Sequence, residues 1–318
     1  MTRPVFRFAD LIGYDVEQGT IVLLAWDAHR GSHRRHILTT AAGVAALLAG
    51  HMIGSAGAPF AAAYAVALVC RSAQNAPIAT TLTTLQLLAA QLHPMLPYHR
   101  QHLFEQAVTV ADAALRSGTS GELAVVTLLA AASKQIGRSS GRAGQRAAEL
   151  LDPADTALLV PYDALALLTT VTAMPDPATW LIAADPTSTD ARLIAAIAGN
   201  ASIIPPQTAV ERLQQQAIDL VIIETAAVQR DGAAEIPTAA VPVVTAAHAA
   251  GVACYAIAAD GPASPAPGNQ RANAGQHLVA TAAISAIITS RGIYRPAMIM
   301  RHHDDADMPH EPLIELLP

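Results

Sequence analysis

The strongest constraint on how this chain folds is a change in its hydrophobic texture near residue 150. Before that point apolar positions recur at spacings of three and four through residues 37–51, 59–72, 80–93, 99–117 and 121–135, with Gly or Pro between the runs. That period marks helices with a buried face, and no strand-like alternation of any length is read there. After it, short apolar runs take over at residues 157–160, 179–183, 201–204, 219–223 and 252–258. Runs of that length separated by helical stretches of about 10–15 residues imply βαβ units and a parallel sheet buried on both faces. The expectation is an α/β protein: a helical N-terminal domain over residues 1–150, then a Rossmann-like doubly wound parallel-sheet domain over residues 151–318 that includes a C-terminal tail. A ligand site in such a sheet lies outside the carboxyl ends of its strands, where the strand order reverses.

Composition narrows the classes of function. The 318 residues carry 19 Lys and Arg against 25 Asp and Glu, a net charge of −6, and the arginines are scattered, which gives no electrostatic footprint for a phosphate backbone. Nucleic acid is not an expected partner. With 52% hydrophobic and only 4% aromatic residues, the bulk of the core must come from small aliphatics, and alanine alone fills 70 positions. The long apolar stretch at residues 39–70 exceeds membrane-spanning length, but Gly50, Gly54 and Pro59 interrupt it and half of it is Ala and Gly. It reads as two buried helices, not a span. The first ten residues lack the apolar segment and small-residue cleavage site of a secretory signal. Cys70 and Cys254 sit in apolar runs that suit free thiols in a reducing compartment, so the expected location is cytoplasmic. No dinucleotide, Walker, paired-cysteine or nucleophile-elbow motif is present, and neither a cofactor nor a metal site is expected.

Two segments stand apart. Residues 260–268 form a Pro/Gly-rich loop long enough to cover a site or a partner. The tail carries His302, His303, Asp304, Asp305, Asp307 and His310, which lack a defined metal-ligand spacing, and then turns apolar over Pro312–Pro318. Such an end is expected to dock on its own domain or on a neighbouring subunit.

Several blocks, in order, resemble one family. The segment Met52–Leu68 is similar to the region around R-G-A-P in methylthioribose-1-phosphate isomerase and the related translation initiation factor 2B subunits. Asn75–Leu82 looks like the A-R-P-T-A-V-N-L segment of that family, Asp219–Gly232 like its V-I-V-G-A-D-R-I-x-x-N-G, and Ala283–Pro296 like its terminal I-I-T-E-R-G-I block. The resemblance implies the two-domain fold and an assembly, either a homodimer or a hetero-oligomer with a related subunit.

What the resemblance implies about chemistry is different. In the family's enzymes a Cys and an Asp are taken to move protons between C1 and C2 of an open-chain sugar phosphate, and arginines fix the phosphate. Matched residue by residue, the Cys falls on Tyr162, the Asp on Ala226, and the arginines on Ala56, Ala76 and Asp185. The resemblance keeps Gly57, Ala58, Pro59 and Arg192 as scaffold positions, and these, with Thr81, Asp185 and Thr225, are expected to line a ligand site. A site with three fewer cations and an added carboxylate repels a phosphate dianion. The expectation is a diverged member without the ancestral isomerase chemistry, binding a small ligand or a partner subunit.

Two alternatives stay open. One is altered isomerase or lyase chemistry on a non-phosphorylated sugar-like or other small metabolite; the other is retained sugar-phosphate isomerisation. In the first, the catalytic candidates are Tyr162 as hydrogen-bond donor or acid, and Asp163 and Glu224 as acid and base. Structural readings stand beside these: Tyr162 filling the place of a lost substrate, Glu224 pairing with Arg230 on the surface, and, for the ligand-site candidate Asp185, helix capping by Asp185, Thr187 or Ser188.

Overall fold

The computed structural model describes residues 7–27, 30–97, 101–174, 179–229, 231–258 and 276–299. The chain divides into two compact units, residues 7–135 and residues 136 onward. The loop at 260–268 and the tail beyond residue 300 lie outside the described residues, as does Arg230.

The first unit opens with α1 (Phe8–Leu11) and a meander of three antiparallel strands, β1 (Ile12–Asp15), β2 (Thr20–Asp27) and β3 (Ser32–Leu38). This sheet corrects the all-helical reading of the first 150 residues. Its central strand buries Ile21, Leu23 and Ala25 on one face while Val22, Leu24 and Trp26 stay half-buried on the other. Because both sets are apolar, the strand's period of two does not appear in the sequence. His33 and His36 lie in β3. Gly19 turns the first hairpin at φ +64°, and the Arg71 guanidinium packs so close over it that a Cβ would overlap its Nε.

Among the described residues the helices α2 (Ala41–Ala49), α3 (Ala58–Ser72), α4 (Ile78–Leu92) and α5 (Gln101–Arg116) follow, and then α6 (Gly121–Ala148), whose residues from Ile136 on belong to the second unit. The predicted helix at 37–51 begins only at Ala41, because Ile37 and Leu38 complete β3 and Thr40 caps the helix, its hydroxyl accepting the Gly43 N–H at 3.2 Å. The expectations for α3, α4 and α5 match within two residues. Helix α3 is buried on every side from Ala58 to Cys70. Its alanines present no bulk, which lets α2, α4 and α5 pack directly around it. Helix α6 runs thirteen residues beyond the predicted end at Gln135. No helix among the described residues is long and apolar enough to cross a membrane.

The second unit alternates strands and helices: β4 (Thr156–Val160), α7 (Leu165–Ala173), β5 (Thr179–Ala183), α8 (Thr189–Ala198), β6 (Ala201–Ile204), α9 (Pro206–Gln214) and β7 (Leu220–Thr225). Then come β8 (Ala227–Val228), β9 (Ala234–Pro237), α10 (Val241–Ala250), β10 (Ala253–Ala258), β11 (Gln276–Val279), β12 (Ala286–Ile288) and β13 (Ile293–Tyr294). All five strands read from the sequence are present. They join β12 and β13 in a seven-stranded sheet of order β13-β12-β10-β7-β4-β5-β6, parallel throughout except for β13. From β4 the chain moves outward to β5 and β6, then returns to place β7 on the other side of β4. The strand order therefore reverses between β4 and β7, and a crevice opens at their carboxyl ends. A small antiparallel sheet, β11-β9-β8, was not read from the sequence.

Candidate functional site

At the β4–β7 switch point the chain leaves Val160 and enters α7 through Pro161, Tyr162, Asp163 and Ala164. Helix α7 has no side-chain cap of its own: its N-cap residue is Ala164, held at φ +67°, where an L residue is strained by about 1–2 kcal/mol. The orphan donors of the turn are taken instead by a side chain from the neighbouring strand. Glu224, near the end of β7, places one carboxylate oxygen, Oε2, against the N–H groups of Tyr162 (2.9 Å), Asp163 (3.1 Å) and Ala164 (2.7 Å). Its Oε1 accepts from Ala166 (3.0 Å) and Leu167 (3.2 Å). The remaining N–H in the series, Leu165, donates to Asp163 Oδ1 at 3.1 Å. Six successive backbone donors thus end on two carboxylates.

A run of N–H groups at a helix N-terminus is a ready-made anion site, and here a carboxyl group of the protein itself occupies it. Glu224 is 3% exposed and Asp163 8%. Burial pushes the Glu224 pKa up and the nearby Asp163 carboxylate pushes it further, while the N–H donors of Tyr162, Leu167 and Ala164 pull it back. The balance leaves it raised, at about 8. Thr225 is buried beside it and its hydroxyl donates to the Ile257 carbonyl at 3.1 Å. The space left between Asp163, Glu224, Thr225, Ser140 and Ala258 is a cavity of about 10 Å³, no larger than one water requires. On the rim, the Tyr162 hydroxyl accepts a hydrogen bond from the Gln276 side chain at the start of β11.

The wall opposite Glu224 is set by α6. Gly144 lies so close to α7 that a Cβ there would come within 2.3 Å of the Ala166 carbonyl oxygen and 2.6 Å of Thr169 Cβ. Glycine at this position lets the two helices meet at backbone distance.

The structure brings Tyr162, Asp163, Glu224 and Thr225 together at one end of the sheet. The surface pairing of Glu224 with Arg230 is overturned: Glu224 is buried and committed to the α7 donors. Asp185 follows the neighbouring strand β5 and is occupied locally, accepting from the Thr187 N–H (2.7 Å) and hydroxyl (2.5 Å), which hold its pKa below the usual carboxylate range. Arg192 Nε donates to the Pro186 carbonyl at 2.8 Å, and Ser188 caps α8. These contacts order a turn. Gly57, Ala58 and Pro59 form the N-terminus of α3, and Thr81 is buried in α4 with its hydroxyl directed at the Pro77 carbonyl; all four belong to the first unit.

Sequence reasoning missed Ser140, Gln276 and the backbone donors 164–167. The one available signal was an acid closing an otherwise apolar strand, Leu220–Thr225. A larger apolar groove of about 490 Å³ lies in the first unit between α2 and α4, lined by residues such as Ala45, Leu88 and Met95. Among the described residues, no titratable side chain lines it.

A mostly helical unit followed by a doubly wound sheet with its crevice at the β4–β7 reversal is the fold of the translation initiation factor 2B subunits and the methylthioribose-1-phosphate isomerases. The solved structures it matches make this specific. The 5-methylthioribose 1-phosphate isomerase from Pyrococcus horikoshii OT3 superimposes with a TM-score of 0.70 at 16% identity, over 94% of this chain and 96% of that one. The translation initiation factor eIF-2B subunit delta from A. fulgidus gives 0.66 at 18% identity, over 91% and 96%. The tetrameric eIF2B-beta2-delta2 complex from C. thermophilum gives 0.50 at 15% identity, over 82% and 93%. No protein-family model and no curated protein sequence matches the chain.

Proposed function

We propose that this chain is a diverged relative of the initiation factor 2B and methylthioribose-1-phosphate isomerase proteins that has given up sugar-phosphate isomerisation and acts as a subunit-interaction protein of the cytoplasm, in a homodimer or with a related subunit. The observation that carries this reading is Glu224. Its carboxyl group accepts from five N–H groups at the crevice of the sheet, the place where a substrate anion would be held. The small size of the cavity, about 10 Å³, supports the same conclusion, since no sugar fits it. So does the residue-by-residue resemblance, which sets Tyr162 and Ala226 where the isomerases have their Cys and Asp. One solved protein of this fold is a tetrameric complex of two kinds of subunit, which supports assembly as the retained role.

A second reading is favoured by one observation, the convergence of Tyr162, Asp163 and Glu224 with a raised carboxyl pKa. It makes the chain an enzyme acting on a small non-phosphorylated metabolite. The small cavity argues against it.

The test is a turnover assay of the purified protein with 5-methylthioribose 1-phosphate, following ketose formation, together with sedimentation at micromolar concentration. The reading predicts no product above the buffer control and a dimer or larger species. Catalytic turnover, or a monomer at those concentrations, overturns it.

A further inference from the structure

Helix α6 carries Arg138, Arg142 and Arg146 at successive intervals of four residues, so they form one stripe with a rise of about 6 Å between neighbours. From Leu123 to Ala148 the helix has no Asp or Glu, and the next acid, Glu149, lies beyond its last residue. Arg138 and Arg142 are exposed, and among the described residues neither is in an ion pair. Arg146 is half-buried and donates to the Ser290 carbonyl, which fixes the lower end of the stripe against the segment that leads into β13. A row of guanidinium groups without an acid partner among the described residues is unusual on a chain of net charge −6, because like charges at four-residue spacing repel and destabilise the helix.

The chain itself holds the complementary charge. Residues 300–318, outside the described residues, contain Asp304, Asp305, Asp307, Glu311 and Glu315. That is five of the chain's 25 acids in its last 19 residues, against one arginine, Arg301. The described chain runs from Ser290 to Ile299, which is buried in the second unit's core. Asp304 to Asp307 follow five to eight residues later, a reach of up to about 17–28 Å. A tethered acidic segment meets the stripe at an effective concentration near the millimolar range.

We propose that the acidic segment at residues 304–307 of the same chain docks on the Arg138–Arg142–Arg146 stripe. Arginine suits this role, since its planar fork takes a carboxylate through two parallel bonds. Contacts of this kind on an exposed face are screened by salt.

The test uses the full chain, with thermolysin cleavage within residues 312–317 followed by mass spectrometry at low ionic strength. The wild type is expected to release its C-terminal peptide about tenfold more slowly than R138E/R142E, and 0.5 M NaCl is expected to remove the difference. Combining R138E/R142E with D304R/D305R/D307R restores the slow rate, and D304N/D305N/D307N alone gives the fast one on an unaltered helix. Equal rates for wild type and D304N/D305N/D307N overturn the proposal. So does a charge swap that fails to restore protection while the melting curve is unchanged. Protection that disappears on dilution assigns the stripe to the tail of a second copy and overturns the intramolecular contact.

Discussion

Replacing Glu224 by Gln keeps the shape of the side chain and removes half of its capacity to accept. A glutamine presents one oxygen and one NH₂ group to the five donors at the start of α7. If its oxygen takes the place of Oε2, the Ala166 and Leu167 N–H groups face the amide nitrogen; if it takes the place of Oε1, three donors do so. The less costly orientation leaves two buried donors without an acceptor, at about 1–3 kcal/mol each. E224Q should therefore lose about 2–6 kcal/mol, a large share of a typical domain's total. Urea unfolding followed by circular dichroism measures this directly, with an unchanged slope confirming that the native fold is the same.

The pH dependence gives this prediction a sign. The Glu224 pKa is raised from 4.5 to about 8 in the folded protein, so between those values the folded state holds a proton that the unfolded chain releases. The stability gained is complete below about pH 4.5 and is lost as the pH rises towards 8, at roughly 1 kcal/mol per pH unit. E224Q lacks this slope, and the gap between the two proteins should narrow from pH 5 to pH 8. A variant within about 0.5 kcal/mol of wild type, or a gap that widens with pH, would refute the account of Glu224 as a buried, raised-pKa cap.

Further outcomes follow from the same geometry. E224A should lose more stability than E224Q, and millimolar formate should recover part of it by filling the vacated donors, read as a rise in Tm absent from the wild type. G144A should cost at least about 1–3 kcal/mol in urea, because its Cβ would stand 2.3 Å from the Ala166 oxygen, and little cost would mean α6 and α7 are not at backbone contact. Burial pushes the Cys70 thiol up to about 11 and the Cys254 thiol up to about 12. Both should resist a disulfide reagent in the native state and react within minutes in denaturant. Y14F removes the hydroxyl that donates to Glu122 at 2.7 Å, where Arg71 also binds, and should cost about 1 kcal/mol in unfolding free energy.

The α/β unit was legible because its strands are short apolar runs with no competing pattern: residues 179–183 and 201–204 were read to the residue. The sheet of the first unit was not, since Val22 and Leu24 fill the outer face of β2 with apolar side chains and erase the alternation. The end of α6 was missed for a different reason. Gly137, Gly141 and Gly144 lower helix propensity, yet tertiary packing against α7 requires a glycine at 144. At the site, Tyr162, Asp163 and Glu224 could be singled out as polar residues at strand ends, and the structure does bring them together. Their arrangement could not be read, because five of the groups that define it are backbone N–H donors carrying no side-chain signature. The short strands β8, β9 and β11 were hidden by their length, and β8 and β9 also by their alanine and proline content.

The central claim is that the crevice is already filled by the protein's own carboxyl group, that of Glu224. Its most direct test is a calorimetric titration of the wild-type protein with 5-methylthioribose 1-phosphate at neutral pH. The account predicts no saturable heat up to millimolar ligand, whereas binding with a micromolar Kd would contradict it.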